Sequence, residues 1–254
     1  MLFRETGNSE MPTVILLHGG GLSYWSLSPV VELLKESYHV VTPIIDGHGE
    51  DGGTEFISIE DSAKKLLAYI DERHSGRVFA IGGLSLGAQI TVEALSQKEN
   101  AAQFAVVESA LVIPMKGVTP FIVPIYKLSY GLISKKWFSK LQAKSMFIPD
   151  SMFDQYYDDT IKLSKQSLIN ITVSNEAYML KDSIIKTKTN ALIIYGEKEF
   201  DLIKKSAVLL TQQIPDSELY CAKNMKHGEL SLAHPAEYVR LVKDFIDRCK
   251  RPVF

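Results

Sequence analysis

A chain of 254 residues has the length of one large domain rather than a short module. Hydrophobic residues make up 46% of it and charged residues 23%, which excludes wholesale disorder and supplies enough apolar material for a core. Twenty-eight basic against 30 acidic side chains leave a net charge of −2, so there is no global positive field to hold nucleic acid or an anionic membrane.

In chain order, Met1–Met11 is polar and lacks the apolar stretch of an export signal, so the cytoplasm is the expected compartment. Val14–Leu17 reads as a strand, short, apolar and β-branched, and His18-Gly19-Gly20-Gly21 follows it. Ser28-Pro29 sets an N-cap and a first-turn proline before a helix over VVELLKE. Tyr38–Thr42 is the next strand. Ser58 and Asp61 have capping-box-like spacing, Ala63, Leu66, Leu67 and Ile70 form one helical face, and Gly76 supplies the stop. Val78–Ile81 reads as a strand, Gly83–Gly87 as a turn, AQITVEALSQ as a helix and Phe104–Val107 as a strand.

From about Leu111 to Ser183 no strand has clear flanks, and helical patterns and prolines dominate. Strands return at Ala191–Tyr195 and Glu218–Cys221. Ile203, Ala207, Leu210 and Ile214 repeat at helical spacing, as do Val239, Val242, Ile246 and Cys249 after Pro235. Such alternation predicts an α/β fold: a mostly parallel sheet with helices on both faces. The expected division is a core of residues 1–110 and 186–254, with a helical cap inserted at 111–185. The apolar stretch Ala101–Met115 is broken by Glu108, and Gly117–Ser134 by Pro120, Pro124 and Lys127, so neither is expected to span a bilayer. Cys221 and Cys249, with no CxxC, read as reduced and buried.

Gly83-Leu84-Ser85-Leu86-Gly87 has the form G-x-S-x-G, between an expected strand and an expected helix. A serine at such a tight turn is pushed out of the sheet, and the glycines let the backbone pass without a Cβ clash. The helix N-terminus adds backbone N–H groups and a positive dipole end where an oxyanion would form. The glycines after His18 can expose further N–H groups. Gly20 and Leu86 are the expected oxyanion donors.

Together these segments resemble the α/β-hydrolase family nearly end to end. His18–Gly21 resembles its oxyanion loop, Pro43–Gly49 (PIIDGHG) its segment after the next strand, and Ser85 stands at its nucleophile elbow. Gly196-Glu197-Lys198-Glu199 resembles the family's G-x-x-D, and Lys226-His227-Gly228 its histidine loop. The resemblance implies Ser85 as nucleophile and His227 as general base, with the order Ser, acid, His. The acid departs from the pattern. Glu199 occupies the motif position in place of Asp, Asp201 follows two residues on, and Glu108 ends a strand from which some lipase-like members draw their acid. Glu199 is the choice, with Asp201 and Glu108 as alternatives. His234, before Pro235, reads as a capping or surface residue, and His18 and His48 as structural residues of the glycine loops.

The function implied is a serine hydrolase that cleaves a small carboxylic ester through an acyl-enzyme, with no metal or organic cofactor. Thioesters, amides or C–C bonds fit the same three residues, and a non-catalytic ligand receptor with this fold is a different class of reading. Ser85 stands where haloalkane dehalogenases carry Asp, and G-L-S-L-G differs from the G-D-S-A-G of hormone-sensitive-lipase-like esterases. Residues 111–185 hold ten of the 24 aromatic residues and four of the seven methionines. That enrichment points to a small-molecule substrate with an apolar or aromatic part. Lys116, Lys127, Lys135 and Lys136 read as a solvated face. Oligomeric state is not readable from the chain.

Overall fold

The computed structural model describes residues 1–115, 117, 123–124 and 130–250. Its described residues form a seven-stranded sheet in the order β1-β3-β2-β4-β5-β6-β7. The strands are β1 (Leu2–Thr6), β2 (Thr13–Leu17), β3 (His39–Ile44), β4 (Val78–Leu84), β5 (Ala102–Glu108), β6 (Asn190–Gly196) and β7 (Ser217–Ala222). Only β1 is antiparallel, paired to β3; the other neighbours run parallel. This is the doubly covered, mostly parallel sheet expected from the alternation.

The alternation of side chains along each strand explains why both faces are apolar. Val14 and Leu16 point to one side with Val40, Ala80, Phe104, Val106, Leu192 and Ile194. There they meet Val30, Val31 and Leu34 of α1 (Ser28–Leu34) and Val239, Val242, Phe245 and Ile246 of the C-terminal helix Pro235–Lys250. Ile15 and Leu17 point to the other side with Val41, Ile81, Ala105, Val107 and Ile193. That face is covered by α2 (Ile59–Arg73), α3 (Leu86–Gln97) and the helix Asp201–Gln213. Ser58 caps α2 by accepting the Asp61 N–H at 3.1 Å, as the spacing predicted.

Helix α3 is buried from Leu86 through Leu95, so its polar residues need internal partners. Gln89 Nε2 donates to the carbonyls of Leu111 and Asn175 at 2.6 and 3.0 Å, and Glu93 accepts from Tyr178 O–H at 2.9 Å. These bonds tie the helix behind Ser85 to the chain between β5 and β6. That stretch carries no strand among its described residues. Helices with described bounds there are α4 (Lys136–Ser145), α5 (Phe153–Thr160) and α6 (Lys165–Ala177). Ala143, Ile148, Phe153 and Tyr156 pack there against Leu22, Trp25 and Leu84 of the sheet-bearing part. The remaining helices are α7 (Asp201–Gln213), α8 (Glu229–Ala233) and α9 (Pro235–Lys250).

One strand was not expected, and one expectation is corrected. The polar N-terminal segment contains β1, an edge strand with three of its five residues exposed, held by its ladder to β3 (Leu2 opposite Ile44, Thr6 opposite Val40). The cysteines are free thiols but only half-buried: Cys221 lies on edge strand β7, and Cys249 in the last turn of α9. Lys135 and Lys136 are exposed, whereas Lys116, Lys127 and much of Gly117–Ser134 lie outside the described residues. Among the described residues no helix is long and apolar enough to cross a membrane.

Candidate active site

Parallel strands place their C-terminal ends along one edge, and the turns that leave them converge there. Ser85 follows β4, Gly20 follows β2, Glu199 follows β6 and His227 follows β7. Ser85 adopts φ 53° and ψ −111°, a strained conformation for a residue with a side chain. The flanking glycines are required by close approach: a Cβ on Gly83 would stand 2.2 Å from the Gly87 carbonyl oxygen, and one on Gly87 2.5 Å from that of Leu17. The elbow is braced from the next strand, where the Glu108 carbonyl accepts the Ser85 N–H at 2.9 Å.

Three of the expected side chains form one hydrogen-bonded chain. Ser85 Oγ lies 2.9 Å from His227 Nε2, and His227 Nδ1 lies 3.0 Å from Glu199 Oε2. With Nδ1–H donating to the carboxylate, Nε2 is free to accept the serine proton. Glu199 has a fully buried side chain. Burial is the largest single effect on its carboxyl and pushes it up. The hydrogen bond and charge of His227, with the Ser109 O–H (2.7 Å) and Gly196 N–H (2.8 Å) donating to Oε1, together outweigh it and hold the carboxyl below its ordinary range.

The alternatives sit elsewhere. Asp201 is exposed at the first turn of α7, 3.8 Å from Lys204. Glu108 is buried, and its Oε1 accepts the Ser231 N–H at 3.2 Å. Burial pushes its carboxyl up to about 7, with the nearby Glu199 adding to the rise and Ser231 and His227 opposing it. The structure therefore joins Glu199, and neither alternative, to His227.

Ser109 was missed by sequence reasoning. It is buried, holds φ 59°, donates to Glu199 and accepts the Gly228 N–H at 3.3 Å, so it links the acid to the histidine loop. No local motif marks it; only the pairing of β5 with β6 brings it there.

Gly20 lies against Leu86: a Cβ on Gly20 would stand 3.7 Å from Leu86 Cδ2. Leu86 is the first residue of α3, so its N–H has no intrahelical acceptor. His18 anchors the glycine loop. Its Nδ1–H donates to the Gly19 carbonyl at 2.9 Å, and its Nε2 accepts the Ile45 N–H at 3.1 Å. Complete burial drives its pKa down to about 3, so the ring stays neutral. His234 is half-exposed at the start of α9, as a surface residue should be.

Above Ser85 opens a cavity of about 370 Å³, within the range of small-molecule sites. Gly20, Gly21 and Leu22 line it from the sheet side, and Phe138, Met146, Leu163, Leu168 and Ile171 from the chain between β5 and β6. Among the described residues no cluster of His, Cys, Asp and Glu is arranged to hold a metal ion.

Comparison with known proteins gives a consistent picture. The family model described as "Alpha/beta hydrolase family" matches residues 14–241. An uncharacterized hydrolase of Bacillus subtilis, YugF, is 23% identical over 254 aligned positions covering 92% of each chain. An AB hydrolase superfamily protein of Gibberella zeae is 25% identical over 126 residues, which are 49% of this chain and only 44% of that protein. Among solved structures, the enol-lactonase of Burkholderia xenovorans superimposes with a TM-score of 0.80 over 97% of this chain and 96% of its own, at 17% identity. At that identity the likeness shows the shared fold.

Proposed function

The chain belongs to the alpha/beta hydrolase family, and from that membership we propose that it is a serine hydrolase acting on small carboxylic esters. One observation carries the reading: the unbroken hydrogen-bond chain from Ser85 Oγ through His227 to buried Glu199, opening on a cavity. Ser85 attacks the ester carbonyl while His227 Nε2 takes its proton. Glu199 fixes the imidazole tautomer and stabilises the imidazolium that forms. The N–H groups of Gly20 and Leu86 receive the developing oxyanion. The imidazolium then protonates the leaving alcohol. Water attacks the acyl-enzyme by the same proton path and releases the acid, regenerating Ser85.

Residues 111–185 act as the cap in this reading. Phe138, Met146 and Leu163 supply an apolar roof for the substrate's acyl or alcohol part. Ser85, His227 and Glu199 would serve thioester, amide or C–C cleavage by the same path, and pocket shape decides among them.

The test is hydrolysis of p-nitrophenyl esters of increasing acyl length. Turnover that is lost in Ser85→Ala and does not fall off steadily from acetate upward is expected. A folded wild-type protein with no esterase activity, or activity that survives Ser85→Ala, would remove the reading.

A further inference from the structure

Ser85 has different surroundings on its two sides. On one side lies the cavity of about 370 Å³, bounded by the glycine loops Gly20–Leu22 and His48–Gly49 and by helices α4, α5 and α6. On the other stands His227, with Nε2 2.9 Å from Ser85 Oγ. His227 does not line the cavity, nor does any residue of the loops that follow β6 and β7. Its side chain is nevertheless 48% exposed, so the exposed surface faces outside the cavity. Lys198, Phe200 and Lys226 of the same loops are exposed as well, Phe200 to 87%. The acid and histidine loops therefore open to solvent, whereas the cap helices close over the opposite side of the serine.

The cavity wall suits an apolar chain. Phe138, Met146, Leu163, Leu168 and Ile171 line it. Ile171 sets the wall nearest the serine, since a Cβ on Gly20 would stand 3.6 Å from its Cγ2. The hydroxyls of the wall are turned onto the backbone. Tyr130 donates to the Leu163 carbonyl at 2.7 Å, Thr160 to that of Tyr156 at 2.7 Å and Thr172 to that of Leu168 at 2.9 Å. Asn175 Nδ2 donates to Gln89 Oε1 at 2.8 Å. With these hydrogens engaged inside the protein, the tyrosine and the two threonines offer the cavity mainly ring and methyl carbon. No Lys or Arg among the described residues lines it.

The chemistry decides which half of an ester enters that space. The tetrahedral centre formed on Ser85 carries an oxyanion, the leaving alcohol oxygen and the acyl chain. The alcohol oxygen has to lie within hydrogen-bond reach of His227 Nε2, which protonates it. The oxyanion turns to the N–H groups of Gly20 and Leu86. The acyl chain takes the remaining direction, away from His227 and toward the cap. We propose that the cavity is an acyl pocket: the enzyme selects the acid half of its ester, an uncharged apolar chain longer than acetyl, while the alcohol half leaves past His227 to solvent and contributes little to selection. The inference rests on the hydrolase reading and names the half of the substrate that the site recognises.

The experiment compares kcat/KM for ethyl hexanoate and hexyl acetate. They are isomers, composed of the same atoms, and differ only in which side of the ester bond carries the long chain. Ethyl hexanoate is expected to lead by about tenfold or more, since each methylene taken from water into an apolar site is worth about fourfold. The hexanoate ester of a methoxy-poly(ethylene glycol), whose alcohol is too large for the cavity, should be hydrolysed within about fivefold of ethyl hexanoate. Thr172→Trp fills part of the cavity from α6 and should bring the isomer ratio toward one. A wild-type ratio near or below one, a poly(ethylene glycol) ester refused by the wild type, or a ratio unchanged in folded Thr172→Trp would each overturn the proposal. Should Thr172→Trp fail to fold, the wild-type comparisons still decide it. Labelling of Ser85 by a fluorophosphonate separates the two levels. A labelled protein that shows no preference between the isomers, or hydrolyses neither, sinks this inference alone. An unlabelled one sinks the hydrolase reading and this inference with it.

Discussion

Glu108 and Glu199 are two buried carboxylates at and just beyond the ends of adjacent parallel strands, and their surroundings send them in opposite directions. Glu108 ends β5 and receives a single backbone N–H, from Ser231, and burial carries its carboxyl up to about 7. Glu199 lies beyond β6 and is equally withdrawn from water. It has His227 on one oxygen and two donors, Ser109 and Gly196, on the other, which hold it below its ordinary range. Burial is therefore not what makes the better partner for a histidine. Hydrogen-bond donors arranged before the chemistry begins are what keep a carboxylate charged inside a protein.

The comparison can be broken most sharply at Glu199. Glu199→Gln keeps the shape but offers a neutral amide to His227 Nδ1, and kcat is expected to fall by about 10³- to 10⁴-fold in ester hydrolysis. Glu108→Gln should change kcat by less than about tenfold, since Glu108 does not touch His227. A reversal of that order would make Glu108 the acid. A smaller effect is expected at Ser109. Removing its hydroxyl in Ser109→Ala takes one donor from a buried charge, worth about 1.5–3 kcal/mol, so kcat should drop on the order of tenfold and the melting temperature should also fall.

The smallest effect is on stability and concerns Glu108 alone. Its carboxyl binds a proton more tightly in the folded protein than at the ordinary value of 4.5. The folded state therefore holds more protons than the unfolded one between about 4.5 and about 7, and stability contributed by the protonated form is lost as pH rises through that window. Glu108→Gln, which cannot ionise, should melt near the wild type at pH 4.5 and a few degrees above it at pH 8. A wild-type-minus-variant difference that does not grow with pH would show that Glu108 is not burdened by burial.

These two carboxylates also mark where the chain could be read directly. The segments that announce themselves are local. Gly83 and Gly87 are needed because backbones pass too close for a Cβ, and Gly21 and Gly228 because their φ angles are positive, and such demands show in the local sequence. The strands of the central sheet were legible because both faces are buried and their residues are mostly apolar. The edge strand β1 was not, because three of its five residues face water and the segment around it is mostly polar. Ser109 was not legible because its role depends on β5 lying beside β6 and on the turn before Gly228, contacts made between residues 90 and 119 positions apart.

The most direct measurement of the central claim is the intact mass of the protein after treatment with a fluorophosphonate. The account predicts one adduct per chain on the wild type, at Ser85, and none on Ser85→Ala. A folded wild-type protein that takes up no adduct, or an adduct that persists in Ser85→Ala, would contradict it.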